Sequence, residues 1–276
     1  MRPTAIVASA KPFSQLQLPM FFDTHCHLDN QQLSSVVEDV VGRATAAGVS
    51  RMTAIGTDVE NSRRCVGIAE RFEQVYAAVG IHPTVCQNFA ADDDWNSIVE
   101  LADHDQVVAI GETGLDLHWD TSTFEVQKQW FQRHIDLSFE KELPLVIHMR
   151  DCESEIVEML EQSAIDGRII GIMHSFTGSA ESAQRCLALG MYISFAGMVT
   201  FKKSDDLRAV AATIPDDRLL IETDAPYLSP HPVRSKRPNE PSYVVHTAAC
   251  LADVKNISPK ELGDITTRNA RRVFGC

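Results

Sequence analysis

Short apolar runs rich in β-branched residues recur eight times along the chain, and a longer segment with helical spacing follows each of the first seven. Such near-continuous runs are typical of parallel strands that are buried on both faces. The predicted strands are Met20–Phe22, Arg51–Ile55, Val75–Val79, Val107–Ile110, Leu145–Ile147, Ile169–Met173, Tyr192–Phe195 and Leu219–Ile221. The predicted helices are Leu33–Ala47, Val59–Phe72, Asp94–Asp103, Thr123–Leu143, Cys152–Ser163, Ala180–Leu189, Lys203–Thr213, Pro241–Leu251 and Pro259–Phe274.

This alternation predicts an α/β fold, a closed (β/α)8 TIM barrel formed by a single domain. An open doubly wound sheet is the alternative, but no G-x-G-x-x-G follows the first strand to support a dinucleotide-binding fold. We expect the barrel over residues 20–276. Residues 1–19 are either a loose N-terminal extension or the result of a translation start placed too early, since Met20 stands just before the first strand.

Charge and cysteine content restrict the classes of function. The formal net charge is −13, from 38 acidic and 25 basic residues, which argues against bulk electrostatic attraction to nucleic acid but leaves room for a local cationic groove or bound metal ions. Seven cysteines without any C-x-x-C pair predict reduced thiols and a cytoplasmic protein. No apolar stretch approaches the ~20 residues that span a bilayer, so we expect no membrane segment.

Polar side chains come after five of the predicted strands, and the pair His25 and His27 is the first of them. Alternate residues of a strand point to the same side, so His-x-His can present two imidazoles to one point. Because barrel active sites form at the carboxyl ends of the strands, these groups should meet. The candidate metal ligands are His25, His27, Glu112, His148, His174 and Asp224. Four imidazoles and two carboxylates exceed the needs of one tetrahedral zinc ion and match two metals that share a carboxylate.

Several motifs in this order resemble the TatD family of metal-dependent deoxyribonucleases, which belongs to the amidohydrolase superfamily. They are Phe-Phe-Asp-Thr-His-Cys-His-Leu-Asp (21–29), Gly-Ile-His-Pro (80–83), Ile-Gly-Glu-Thr-Gly-Leu-Asp (110–116), Leu-Pro-Leu-Val-Ile-His (143–148), His-Ser-Phe-Thr-Gly (174–178) and Glu-Thr-Asp-Ala-Pro-Tyr-Leu (222–228). The resemblance runs from about Met20 to Phe274. One departure is Pro238, which stands between Arg237 and Asn239 where the family pattern is Arg-Asn-Glu-Pro.

The resemblance implies two divalent metal ions, of zinc, magnesium or manganese. By it, the first ion is bound by His25, His27, Glu112 and Asp224, and the second by Glu112, His148 and His174. Glu112 is then the bridging ligand. Many amidohydrolase barrels use a carbamylated lysine as the bridge, but no lysine ends any of these strands. Asp224 is assigned a second, catalytic role as the general base that accepts the proton of the attacking water.

Further side chains near the strand ends are candidates for substrate binding. We assign His82, Arg150, Arg234 and Lys236 to this role, since the last two belong to a basic loop after strand 8 in an otherwise acidic protein. A loop-capping role for His82 and a solvated loop at 231–237 remain the alternatives. Glu222 either supports the metal ligands from behind or faces the same cavity, and Trp119 either stacks on a base or packs internally.

The resulting hypothesis is a metal-dependent hydrolase of ester bonds, a 3'-5' exodeoxyribonuclease that cleaves phosphodiester bonds with a metal-activated water. The expected substrate is DNA, as single strands or 3' ends, and the protein is expected to be a monomer or weak oligomer. The alternative is an amide or ester hydrolase of the amidohydrolase superfamily, acting for example on a lactone or an aminoacyl-tRNA bond. The basic loop and Arg150 favour the nuclease.

Overall fold

A computed structural model describes residues 20–89 and 93–276. Within them, eight parallel strands form one sheet in chain order, which confirms the predicted barrel. The strands are β1 (Phe21–Cys26), β2 (Val49–Ile55), β3 (Val75–Val79), β4 (Val107–Asp116), β5 (Leu145–Arg150), β6 (Gly171–Met173), β7 (Tyr192–Phe195) and β8 (Leu219–Ile221). The helices are α1 (Val37–Ala46), α2 (Val59–Arg71), α3 (Asp93–Leu101), α4 (Phe124–Lys141), α5 (Glu153–Ser163), α6 (Ala180–Ala188), α7 (Asp205–Thr213), α8 (Val244–Lys255) and α9 (Pro259–Phe274). The predicted extension, residues 1–19, lies outside the described residues.

Two layers of apolar side chains hold the barrel together. The larger layer lies between the strands and the surrounding helices. The smaller one fills the barrel interior, where Phe22 of β1 packs against Phe274 of α9 with their ring centroids 5.5 Å apart. Because α9 covers the amino ends of the strands in this way, the barrel has a closed floor and only its opposite end can accept a ligand.

Several predicted element boundaries were wrong, and the ends of β1 and β4 matter most for the site. β1 continues to Cys26 and β4 to Asp116, because polar side chains inside a barrel do not interrupt the backbone hydrogen bonds of a strand. Conversely, the predicted helix at Pro241–Leu251 begins with a 3-10 turn, and regular α-helix starts only at Val244. The consequence for the site is that Glu112 lies within β4 rather than in the loop after it.

The barrel is closed between β8 and β1 by isolated contacts rather than by a regular ladder. Among the described residues a single bridge joins the two edges, between Cys26 at the end of β1 and Ala225 in the loop after β8. The amide of Asp224 donates to the carbonyl of His25 at 2.9 Å, and the amide of His27 donates to the carbonyl of Ala225 at 2.7 Å. The segments that carry the first group of predicted ligands therefore meet across this seam.

A buried histidine on α4 fixes the loop after β3. The Nε2 atom of His134 accepts a hydrogen bond from the amide of Ile81 at 3.0 Å, and its Nδ1–H donates to the carbonyl of Trp130 at 2.7 Å. Burial, outweighing the bond to Trp130, lowers the pKa of His134 from 6.5 to about 4. The imidazole is thus neutral in the folded protein at neutral pH, and it holds the backbone next to His82.

Replacing His134 with glutamine is expected to reduce the loss of stability in mild acid. Because the folded state lowers the pKa of His134, its contribution to stability is complete above pH 6.5 and is lost as the pH falls through about 4. This loss amounts to about 3 kcal/mol. Urea unfolding between pH 7 and pH 4 measures it as the difference between wild type and His134→Gln, whose side-chain oxygen can still accept from Ile81. Identical pH dependence in the two proteins would contradict the assignment.

No helix within residues 20–89 and 93–276 is both long enough and apolar enough to cross a membrane.

Candidate metal centre

An irregularity in β1 turns two histidines toward the barrel axis. Phe22 packs inside the barrel, whereas Cys26 packs in the outer layer, although two residues four positions apart in a regular strand face the same side. The change of side comes from a shift of register against β2 between Asp23 and Cys26. Such a bulge re-aims the side chains that follow it. As a result the Nε2 atoms of His25 and His27 lie only 3.3 Å apart.

A second irregularity, in β4, places Glu112. The pairing of β4 with β5 shifts between Ile110 and Thr113. Gly111, in this interval, has a φ of +147°, and a Cβ atom there would lie 2.5 Å from the carbonyl oxygen of Val146. Only glycine allows this backbone conformation and this close approach of the two strands. The next side chain, Glu112, is 3% exposed and points into the cluster of histidines.

Glu112 stands between two groups of nitrogen donors. Its Oε2 lies 3.4 Å from Nε2 of His25 and 3.7 Å from Nε2 of His27. Its Oε1 lies 2.9 Å from Nε2 of His174 and 3.1 Å from Nδ1 of His148. Asp224 completes the first group, with Oδ1 3.4 Å from Nε2 of His27. All six predicted ligands therefore come together at the carboxyl end of the barrel.

The hydrogen bonds of the Nδ1 atoms of His27 and His174 leave the Nε2 atoms of these rings available to bind a cation. Nδ1 of His27 lies 3.2 Å from the carbonyl oxygen of Ile55, and Nδ1 of His174 lies 3.1 Å from Glu222. A carbonyl or carboxylate can only accept, so each of these Nδ1 atoms carries the proton. The Nε2 atoms are left facing the carboxylates, so loss of a proton there gives the nitrogen donor that a metal-bound histidine requires. The groups His25–His27–Asp224 and His25–Glu112–His174 each have ligand atoms within 4.8 Å of one another.

The electrostatics of the cluster favour positive charge. Burial by itself raises the pKa of Glu112, but the adjacent His174, His82 and His25 outweigh burial and hold that pKa well below its usual range. Burial lowers the pKa of His27, yet its contact with Asp224 and the charge of Glu112 raise the pKa to about 9. Ionised carboxylates thus draw protons onto buried imidazoles. A cation that displaces these protons neutralises the same carboxylates.

His82 lies beside the cluster, but the ring nitrogen that faces Glu112 carries a proton. Its Nε2 is 3.4 Å from Oε1 of Glu112, and a group of His82, Glu112 and His148 also has ligand atoms within 4.8 Å. However, Nδ1 of His82 accepts from the amide of Thr84 at 3.2 Å. The proton therefore resides on Nε2 and points at Glu112, so His82 is arranged as a hydrogen-bond donor toward the cavity rather than as a ligand.

The predicted substrate-binding residues do not all lie at the same place. His82 and Arg150 line a cavity of about 940 Å³ above the histidine cluster, and Arg150 lies over the ring of the 52% exposed Trp119 at its rim. Arg234 instead lies over Phe201, 3.5 Å from its ring centroid, and Lys236 lines a different cleft. Glu222 is fully buried behind His174 and does not line the cavity.

Asp116 is a functional candidate that was not among the site residues predicted from the sequence. Its Oδ2 lies 2.8 Å from Nε2 of His148, which directs Nδ1 of that ring to Glu112. Its Oδ1 accepts from the amides of His118 and Trp119 at 2.9 and 3.0 Å. One carboxylate thus fixes a candidate ligand and the loop that carries the exposed Trp119. Asp116 ends the motif Ile-Gly-Glu-Thr-Gly-Leu-Asp, which could have marked it as a candidate from the sequence. Its contact with His148, however, depends on the register of β4 against β5.

Replacing Asp116 with asparagine is expected to weaken metal binding at His148. When the side-chain Nδ2 of the new asparagine faces His148, it donates to Nε2 of that ring. The ring proton then moves to Nδ1, the atom that faces Glu112. The expected loss of affinity at this position is about 10- to 100-fold. Equilibrium dialysis with metal analysis measures it. Asp151→Asn is the matched control, since Asp151 pairs with His118, which is not a candidate ligand; an equal loss in both variants would contradict the role of Asp116.

Comparisons with known proteins agree with this architecture. The family model described as TatD related DNase matches residues 22–275. The "uncharacterized metal-dependent hydrolase YabD" of Bacillus subtilis is 44% identical, with 92% of this chain and 99% of that protein covered. The "3'-5' ssDNA/RNA exonuclease TatD" of Salmonella typhimurium is 35% identical, with 92% and 98% covered. The crystal structure of YJJV, a TatD homologue from Escherichia coli, superposes with a TM-score of 0.88 at 29% identity and covers 94% of this chain and 100% of its own.

The family match covers nearly all of the barrel, and YabD and the Salmonella TatD are 44% and 35% identical to this chain over nearly their full length. The prediction of a metal-dependent hydrolase from the motifs is confirmed. The chain belongs to the TatD-related DNase family.

Proposed function

We propose that this protein hydrolyses phosphodiester bonds at the ends of single nucleic-acid strands, with two divalent cations in the histidine and carboxylate cluster. The observation that carries the proposal is the position of Glu112, whose two oxygens face two separate groups of imidazole nitrogens. Divalent cations held there would lower the pKa of a bound water and offset charge on a phosphate oxygen. Histidine and carboxylate ligands accept zinc, magnesium or manganese, so the metal that is available determines which one binds, and the titration below distinguishes them.

In this proposal the side chains have three roles, which are to bind the first cation, to bind the second cation and to accept a proton from water. His25, His27 and Asp224 would hold one cation, His148 and His174 would hold the other, and Glu112 stands where it could contribute to both. Burial raises the pKa of Asp224, but its bond to His27 and the adjacent His25 outweigh burial and lower it, so the carboxylate is ionised. An ionised carboxylate at the edge of the cavity is suited to accept the proton of an attacking water.

The groups around the cavity suit a phosphate rather than an amide or lactone. His82 directs an N–H into the cavity, and Arg150 adds a guanidinium at the rim with no ion-pair partner among the described residues. A phosphodiester is an anion and needs such donors, whereas a neutral lactone does not. The closed floor suits a strand end, and Trp119 and Tyr227, 52% and 48% exposed, offer ring faces to unpaired bases at the mouth.

Titration of metal-free protein with Mn²⁺, Mg²⁺ or Zn²⁺ tests the proposal. Single-stranded DNA labelled at the 5' end is expected to shorten in steps of one nucleotide from its 3' end, and only when metal is present. The matched control is the same oligonucleotide with a phosphorothioate at its last linkage. A lactone and a p-nitrophenyl ester serve as competing substrates. Rapid hydrolysis of these neutral substrates, with no cleavage of DNA under any metal, would overturn the nuclease and favour the amide or ester hydrolase.

A further inference from the structure

A second cleft, with a volume of about 520 Å³, lies beside the candidate catalytic cavity. The loop between β1 and α1 separates the two, because Asn30 lines the cavity whereas Gln32 and Leu33 line the second cleft. The opposite wall of the second cleft is the segment Ser235–Pro238. Asn30 and Gln32 are only two positions apart, so a nucleic-acid strand that leaves the cavity over this loop enters the second cleft directly.

The segment that forms this wall is fixed to the loop that carries Asp224. The hydroxyl of Ser229 donates to the carbonyl of Lys236 at 2.7 Å. The amide of Asn239 donates to the carbonyl of Pro226 at 3.0 Å, and its side-chain Nδ2 donates to the carbonyl of Thr223 at 2.9 Å. Asn239 is itself fully buried. These bonds hold the second cleft at a set position relative to the catalytic cavity.

The chemistry of the second cleft is amphipathic. Its floor is apolar, with the 42% exposed Val36, the buried Leu33 and the ring of Tyr243. Lys236 and Arg237 at its edge are exposed and have no ion pair among the described residues. Lys236 lies over the ring of Tyr243, with Nζ 5.8 Å from the ring centroid.

The one carboxylate of the second cleft does not cancel this positive charge. Glu240 is bound by Arg43 through contacts of 2.6 to 3.0 Å. Burial alone would raise the pKa of Glu240, but Arg43 and Ser242 outweigh burial and lower it. Arg43 and Glu240 form an ion pair, and Lys236 and Arg237 leave the second cleft with a net positive charge in a protein of net charge −13.

We propose that the second cleft is a nucleotide subsite for the part of the strand that is not being cleaved. The base lies against Tyr243 and Val36, and its phosphate binds Lys236 and Arg237. An apolar floor beside unpaired cations is the combination that single-stranded nucleic acids require, and the volume is ample for one nucleotide. The inference rests on the proposed nuclease function and extends it, since a substrate long enough to reach the second cleft is then preferred over a short one.

The test compares a dinucleotide with a 12-residue oligothymidylate on the metal-loaded enzyme. Wild type is expected to have the higher kcat/KM for the 12-mer. Lys236→Gln/Arg237→Gln should lower the ratio of the two kcat/KM values by about tenfold. It should also reduce the slope of log kcat/KM for the 12-mer against log salt by about 0.7, the contribution of one phosphate contact on a single strand. Tyr243→Ala should lower the same ratio without changing the salt slope.

The matched control is Arg271→Gln/Arg272→Gln, which removes two exposed cations from the carboxyl end of α9, at the closed end of the barrel. An unchanged ratio in this control, together with the loss in the Lys236/Arg237 variant, supports the subsite. An equal change in both variants, or no change in the Lys236/Arg237 variant, overturns the subsite while dinucleotide cleavage by wild type still upholds the nuclease. Failure of wild type to cleave either substrate with any metal would overturn the nuclease, and the subsite with it.

Discussion

Glu112→Ala protein is expected to lose both metal ions and to lose activity by about 10³-fold or more. The reason is geometric, because Oε2 of Glu112 faces His25 and His27 while Oε1 faces His174 and His148. Without this carboxylate, the second group of donors has no anionic member to offset the charge of a cation. Metal content after dialysis, measured by plasma emission spectrometry, and DNA cleavage at saturating metal are the two readouts.

Two comparisons separate this effect from a general loss of structure. Glu112→Gln has nearly the same volume and preserves the packing around the side chain, so it should still unfold in one cooperative transition while losing the charge that faces the histidines. Glu222→Gln removes a different buried carboxylate, one that contacts His174 only through Nδ1. It should retain both ions with weaker binding of one. An active Glu112→Ala protein with two bound ions would refute the bridging role.

The sequence predicted which residues meet at the barrel mouth better than it predicted how they are aimed. Four histidines and two carboxylates after apolar runs were enough to place all six at one end of a barrel. The bulge that turns His25 and His27 inward has no signature in Phe-Asp-Thr-His-Cys-His, because it arises from the pairing of β1 with β2. Pairing register is a property of two strands and is not contained in either one.

The same limitation explains Asp116 and the basic loop. Asp116 reaches His148 only because β4 continues alongside β5, which depends on the shift of register near Gly111. Arg234 and Lys236 follow β8 in the sequence, but more than ten residues separate them from its end, so sequence proximity did not determine their place. The loop carries Lys236 over the rim into the second cleft, where its neighbours are Tyr243 and Arg237.

Asp224→Asn is expected to lower activity by about 10²- to 10³-fold and to keep the cation at Glu112, His148 and His174. The amide has the shape of the carboxylate but carries no charge and cannot accept a proton at neutral pH. The backbone hydrogen bond from the amide of Asp224 to the carbonyl of His25 does not involve the side chain and should persist. Metal content and DNA cleavage are again the measurements. Asp29→Asn is the matched control, because Asp29 lines the same cavity but its carboxylate binds Arg64 at 3.1 Å.

The dependence of Asp224→Asn activity on metal concentration separates its two proposed roles. If Asp224 is only a ligand, the variant binds the cation of His25 and His27 more weakly, and excess metal restores activity as the position fills. If Asp224 also accepts the proton of the water, activity stays low when both positions are full, because the amide has no basic atom at that edge of the cavity. Full recovery at high metal would therefore leave Asp224 a ligand and require another base. His82 cannot fill that role as it stands, since its Nε2 carries a proton and its Nδ1 is occupied by the amide of Thr84.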